Sequence, residues 1–483
     1  MELIIGSILV FMVILAFFSK KRNIPLIIIA LITGIIFGSD VTGIIYYDNA
    51  ELTKNFANIA LVFVLFYGGF GTKETDLKPV IKVTLVLATF GVLLTATITG
   101  IIFSFVSDWD IKTALLLGAI ISSTDAAAVF SILRTKTIKK EISSITEIES
   151  AANDPMAILT TTFLISLIVG SNAGIGTSIL WVIWQLVVGV LLGILLGKVF
   201  SYIFEKIKKI DIGYYYLFVI GSILFCYGLA DFLKASGMIA VFFMGYIMGN
   251  KKLPFKSGIS SFLETLSFIS NVGLFVLLGL LVFPKQFSSI WGLGVLVFVI
   301  ITFISRPLSV FVCTLFNKFT LKERIFMSWS GIRGAVPIVL ATYPIAAGID
   351  KNSEIFNIVF FAVGLSILIQ GTTIGKLASI FNLTVKSKNK PIQTMELVTI
   401  LETNYDLIEV EIDKEVFSKE CKISDLKLEK DVTITMINRN DKIIAPSGSI
   451  IIKPGDVLFI LVQQNKIKEV TKSILSKFIN QES

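Results

Sequence analysis

Apolar residues in this chain run together in blocks rather than alternating with polar ones. The first block is Glu2 to Phe18. Later blocks occupy residues 24–38, 56–71, 80–107, 112–133, 147–172, 175–204, 212–233, 236–249, 258–282, 287–316, 325–347 and 353–380. A helix of about 20 apolar residues crosses the hydrocarbon core of a bilayer, so the pattern predicts about thirteen spans. The first block has no basic stretch before it and no small-residue cleavage site, and Lys20-Lys21-Arg22 follow it. It is read as a retained span rather than a signal peptide.

Near Asn382 the pattern changes. The predicted organisation is a membrane domain over 1–381, a linker over 382–390 (with Ser387-Lys388-Asn389-Lys390) and a cytoplasmic domain over 391–483. In the last segment Leu407–Ile412 alternates with period two, as a half-buried strand does. Val432–Ile437 and Val457–Val462 read as further strands. Pro446-Ser447-Gly448 and Pro454-Gly455-Asp456 read as turns. Lys466–Phe478 reads as a closing amphipathic helix. The expected fold is thus an all-α polytopic membrane protein with a small α+β domain appended.

Composition narrows the class. The chain is 54% hydrophobic and 16% charged, whereas soluble domains carry about 25% charge. Its three cysteines are far apart, which argues against a disulfide framework or a cysteine metal site. The net charge of +8 is assigned to basic loops rather than to nucleic-acid binding, because Lys and Arg recur after every second span. Examples are Lys20-Lys21-Arg22, Lys136 to Lys140, Lys206 to Lys209 and Lys251-Lys252. By the positive-inside rule the N-terminus lies outside and the C-terminal domain in the cytoplasm. Histidine is absent, so proton chemistry near neutral pH falls to carboxylates.

Charges inside spans are costly and mark pathways or pairs. Asp125 sits in Ser122-Ser123-Thr124-Asp125-Ala126-Ala127-Ala128. This stretch reads as an interrupted helix whose oxygens replace an ion's water shell, or as a small-residue packing seam. In Glu149–Pro155, Glu149 and Asn153 share one helical face and Ser150 and Asp154 the adjacent one. Pro155 frees a carbonyl one turn earlier. The plainer alternative is a solvated loop before the span. Arg306 stays protonated, and its candidate partner is Glu149; the alternative is an arginine that snorkels to the interface. Arg333 lies in Ser330-Gly331-Ile332-Arg333-Gly334, a second break. Two crossing breaks would bring opposed helix ends together, where Asp125 and Arg333 compensate the dipoles. With the first span set aside, the breaks fall one step off correspondence in two halves of six. Glu264 reads equally as structural or pathway-lining.

At these residues the chain resembles the NhaP-type cation:proton antiporters, and their potassium/proton branch in particular. The stretches that carry the resemblance are Ser122–Arg134, Glu149–Ala157 and Ser328–Thr342, within residues 1–380. The resemblance implies an inverted-repeat fold of thirteen spans, a core rocking against a dimerisation domain, and a homodimer. It implies that Asp154 takes the cation and the proton in turn, that Thr124, Asp125 and Ser150 supply further oxygens, and that Glu149 pairs with Arg306 beside Asn153. Many relatives carry an acid where Tyr67 stands, so that role is absent here or moved, with Glu74 the candidate. The tail is similar to the TrkA-C half of the RCK potassium-regulatory module. Such modules imply a dimer and, in some cases, cyclic di-adenosine monophosphate, for which Arg439, Ile444, Ala445 and Pro446 would line a pocket. The alternative is a structural dimeriser.

The expected function is therefore electroneutral exchange of potassium for protons at Asp154, without enzymatic chemistry or a cofactor, controlled by the tail. Sodium is the alternative cation. A channel would need a filter such as TVGYG, and none occurs. A transport-inactive sensor is the remaining class, and the full set of charges argues against it.

Overall fold

The structure, a computed structural model, describes residues 2–19, 26–125, 138–170, 175–207, 211–350, 353–384, 394–395, 405–412, 421–426, 428–429, 431–439 and 442–478. The chain divides into two units, residues 1–385 and 386–483.

The first unit is helical. Its helices are Glu2–Ser19 (α1), Leu26–Phe37 (α2), Ala50–Gly71 (α3), Ile81–Ser107 (α4), Ile111–Ile120 (α5), Lys140–Val169 (α6), Ile175–Lys206 (α7), Ile212–Phe232 (α8), Gly237–Gly249 (α9) and Lys256–Leu280 (α10). Then follow α11, made of Phe287–Val299, Ile300–Ser305 and Arg306–Cys313, and Leu321–Trp329 (α12), Ala335–Ala346 (α13) and Glu354–Ile380 (α14). Among the described residues, eight helices are long and apolar enough to cross a membrane, and five shorter apolar helices accompany them. The sequence predicts one span over 325–347 with a break around Gly331. The structure divides this stretch into α12 and α13, because Gly331 and Gly334 let the backbone leave the helix between them.

Two sets of helices emerge from the packing. In one, α3 lies against α9 and α10, α10 against α2, and α7 and α8 against α9. Glycines make the closest approaches: a Cβ on Gly69 would stand 2.2 Å from the carbonyl oxygen of Phe242. Close backbone contact of this kind is how helices associate in lipid, where apolar burial drives little. In the other set α4 packs on α5, α5 on α6, and α11 on α4 and α14. Helix α13 also reaches α3, and Tyr343 Oη donates to Asn58 Oδ1 at 2.6 Å.

Two helices contain a wide π turn, Leu87–Gly91 in α4 and Ile300–Ser305 in α11. Such a turn inserts one residue and rotates the helix beyond it by about 100° relative to a regular register. The two helices are joined where Ser309 Oγ donates to the Gly91 carbonyl at 2.7 Å.

The end of α14 is pinned to the start of α6. Thr384 forms an antiparallel bridge with Ile138, and the Lys139 amide donates to the Leu383 carbonyl at 3.0 Å. Lys139 Nζ also reaches Glu323 Oε1 at 2.8 Å. Glu323 completes a capping box with Thr320 at the start of α12, which satisfies two orphan amides there.

The second unit is an antiparallel sheet with one helix. Its strands are Thr394–Met395 (β1), Tyr405–Glu411 (β2), Cys421–Lys422 (β3), Thr433–Arg439 (β4), Lys442–Ile444 (β5), Ile451–Ile452 (β6) and Val457–Gln463 (β7), followed by Ile467–Ser476 (α15). Five strands are ordered β1-β2-β7-β4-β5, and β3 pairs with β6. Alternating side chains Ile408, Val410, Leu458, Ile460 and Val462 meet Val470 and Ile474 of α15 in a separate core.

Candidate functional site

Helix α5 stops at Ile120, and residues 121–125 turn out of the helix. Helix α12 stops at Trp329 and α13 resumes at Ala335. The two interruptions touch: the Asp125 amide donates to the Ile332 carbonyl at 2.7 Å. Each also serves the helix end belonging to the other. Arg333 Nη1 donates to the carbonyls of Ser122 at 2.6 Å and Ser123 at 2.8 Å. These are orphan acceptors at the C-terminal end of α5, where positive charge is favoured. The Asp125 carboxylate lies over Gly334, the N-cap of α13, so closely that a Cβ there would come within 2.0 Å of Oδ2. Negative charge is favoured at that end.

Helix α6 passes alongside. Asn153 Nδ2 donates to Thr124 Oγ1 at 2.6 Å, and Thr124 Oγ1 meets Ser150 Oγ at 2.8 Å. Asn153 Oδ1 also accepts from the Thr124 amide at 3.4 Å. Asn153 therefore ties α6 to the first break. It sits one helical turn beyond Glu149, at the level where the amide of Thr124 needs an acceptor. Asp154 lies close to Ser123 and Asp125. Its Oδ1 and the Ser123 Oγ are both buried without a hydrogen-bond partner among the described residues. Native interiors leave few polar atoms in that state.

Glu149 and Arg306 form a fork. Arg306 Nη1 and Nη2 donate to Glu149 Oε1 and Oε2, each at 2.7 Å, and the two side chains are 3% and 2% exposed. The bidentate geometry is the strong form of such a pair. Arg306 is the first residue after the π turn of α11, so the wide turn sets the direction in which it points. Gly331 makes room for it: a Cβ there would stand 2.8 Å from Arg306 Nε.

Other expected residues lie elsewhere. Glu74 does not replace the acid missing at Tyr67. It is half exposed and paired with Lys78 at 2.9 Å, just beyond the end of α3. Glu264 lies on an exposed face of α10. In the second unit Arg439 is not offered to a nucleotide. Its Nε and Nη2 donate to the two carboxylate oxygens of Asp456 at 2.8 and 2.7 Å, and Nη2 also donates to the Ile451 carbonyl. Asp456 is fully buried, so breaking this pair to admit a ligand would strand a charge. Ile444 ends the outer strand β5, with Ala445 and Pro446 in the following turn. This donor set does not fit a bound nucleotide. Sequence reasoning does not find four groups around the first unit's site: Ser123, the Ile332 carbonyl, Ser366 and Gln370. The last two had a signal, two polar residues one turn apart in an apolar block.

Residues 7–379 match the transmembrane sodium/hydrogen exchanger family. The chain belongs to that family. Residues 421–475 match the TrkA-C domain, so this exchanger-family chain carries a second known module. It is 32% identical to the K(+)/H(+) antiporter NhaP2 of Shewanella oneidensis over 97% of this chain and 82% of that protein. It is 33% identical to the K(+)/H(+) antiporter NhaP of Alkalimonas amylolytica over 84% of this chain and 71% of that one. Among solved structures, the sodium proton antiporter MjNhaP1 from Methanocaldococcus jannaschii at pH 8 superposes with a TM-score of 0.71 at 27% identity, covering 78% of this chain and 99% of that one.

Proposed function

We propose that this chain exchanges a monovalent cation for protons across the cell membrane, and that the two compete for Asp154. The observation that carries the reading is the buried Oδ1 of Asp154, without a hydrogen-bond partner among the described residues, beside the crossing of two broken helices. A bare carboxylate in a dry barrier is costly. Either a proton or a cation neutralises it, and both want the same oxygens. Alternation between the two couples their movement without ATP. Asn153 is neutral, which supports one proton for one cation. Potassium is the preferred substrate, because relatives named for potassium/proton antiport align along nearly the whole chain. Sodium is the second reading, favoured by the likeness to a sodium proton antiporter structure.

Counting each long span, each shorter apolar helix and α12 with α13 as one crossing supports thirteen spans, with the N-terminus outside. The fourth and eleventh spans carry the π turns, and the fifth and twelfth the breaks. Treating spans one to six and eight to thirteen as the halves, with the seventh as the joint, removes the one-step offset found when the first span is set aside.

The test is a proteoliposome assay. A pH gradient should collapse on adding potassium, with sodium less effective, and the rate should not depend on membrane potential. No response to either cation would end the reading, and equal or greater sodium response would replace potassium. The pinning of Leu383 and Thr384 to the start of α6 supports control of this exchange by the tail. Removal of residues 391–483 should leave exchange running with an altered pH or ligand dependence.

Gly334→Ala should slow exchange about tenfold, a barrier change of about 1.4 kcal/mol, because the added methyl displaces the Asp125 carboxylate. The added Cβ would also stand 2.4 Å from Asp125 Cβ, so the melting temperature should fall as well, and the rate is compared per folded protein. Normal rates would show that the position of Asp125 is unimportant.

A further inference from the structure

The second break is bracketed from one side by α14. The Arg333 amide donates to Ser366 Oγ at 3.0 Å. Ser366 donates in turn to Gln370 Oε1 through a short contact. Gln370 Nε2 then donates to the Trp329 carbonyl at 3.1 Å. The chain of donors starts at Arg333, near the end of the non-helical stretch, and ends at Trp329, just before it. It spans the gap between α12 and α13 and leaves both ends of the Gln370 amide used. Beside it, Trp329 Nε1 donates to Thr373 Oγ1 at 2.9 Å. Ser366 is fully buried and Gln370 is 2% exposed.

An amide in an apolar span is costly unless its hydrogen bonds are made. Here it serves backbone groups that the missing helical turn has orphaned. The backbone so held carries the site. Ile332 accepts from Asp125, and Arg333 holds the carbonyls of Ser122 and Ser123. Thr124, Asp125 and Ser123 therefore take their places from a stretch whose own position is set by Ser366 and Gln370. By the halves proposed above, α14 is the counterpart of α6. The α6 polar residues face the cation site, and those of α14 face the backbone of the opposite break.

We infer that Ser366 and Gln370 are positioning residues for cation recognition: they fix the second break and, through it, the oxygens around Asp154. The inference rests on the antiport reading. Neither side chain touches the ion. Their loss should loosen the geometry that discriminates a bound cation while leaving the proton-carrying carboxylate in place.

The test measures cation-driven exchange by the full-length protein in proteoliposomes, with potassium as the probe and sodium in parallel. Gln370→Met keeps the length of the side chain and removes both polar ends. The potassium concentration at half-maximal rate should rise about tenfold, which corresponds to about 1.4 kcal/mol of lost binding. The maximal rate should stay within about twofold. Ser366→Ala should behave in the same way, and Ser366→Thr, which keeps a hydroxyl, should recover most of the affinity. An unchanged half-saturation in folded Gln370→Met or Ser366→Ala protein overturns the inference. So does an equal loss in Ser366→Ala and Ser366→Thr, which would point to packing alone. Should Gln370→Met fail to fold, Ser366→Ala decides by itself, since it removes one oxygen and adds no volume. Asp154→Asn is the control. If that variant still exchanges, the antiport reading falls first. If it is silent while Ser366→Ala keeps normal half-saturation, only the bracket falls.

Discussion

Asp154→Asn should abolish cation-driven pH changes in vesicles while the protein remains folded. Asparagine keeps the shape of the side chain but has neither a charge for the cation nor a proton to release. The unpartnered Oδ1 is what makes this substitution clean, since no described hydrogen bond to that atom is lost. An aspartate at the centre of an inserted helix costs about 2.5–3.5 kcal/mol, so the neutral variant should melt at the same temperature or higher. Exchange at the normal rate in this variant would refute the assignment of Asp154.

Glu149→Gln should have a different signature. It leaves Arg306 buried, permanently charged and without a carboxylate, a situation that costs about 3–5 kcal/mol when one partner of a buried pair is removed. The fork at 2.7 Å on both arms leaves little water to take over. The expected result is a large drop in yield and melting temperature, with the surviving folded fraction still exchanging. A stable protein that exchanges slowly would assign Glu149 to the transport step instead. Replacing both residues by apolar ones of similar size should recover much of the stability, because the charge that needed a partner is then gone.

These predictions draw on residues of unequal legibility. The charges at 125, 149, 154, 306 and 333 stand out in sequence because an ionised group in an apolar block is rare and expensive. Ser366 and Gln370 are equally visible as letters, but neutral polar residues are common in spans, and nothing in the sequence ties them to Trp329 and Arg333. The hydrogen-bond partner of Asn153 is hidden for a related reason. A spacing of four places Glu149 and Asn153 on one face, but which acceptor each meets depends on the helix packed against that face. Arg439 reads as a free cation in a turn-rich tail, and the buried Asp456 that captures it is 17 residues away.

The sequence by itself determined the apolar spans of the first unit, the change to a small sheet domain in the second and the positions of the intramembrane charges. These follow from the length of apolar runs and from the cost of charge in lipid, both of which are local properties of the chain. Only the tertiary structure decided that a π turn aims Arg306 at Glu149, that Arg333 closes the end of α5, and that a serine and a glutamine of α14 hold the second break. Those outcomes depend on approaches between segments as far apart as Ser122 and Arg333, 211 residues along the chain. Orphaned backbone groups in an apolar interior take the partners that packing brings within hydrogen-bond reach, and sequence distance sets no rule for which partners those are.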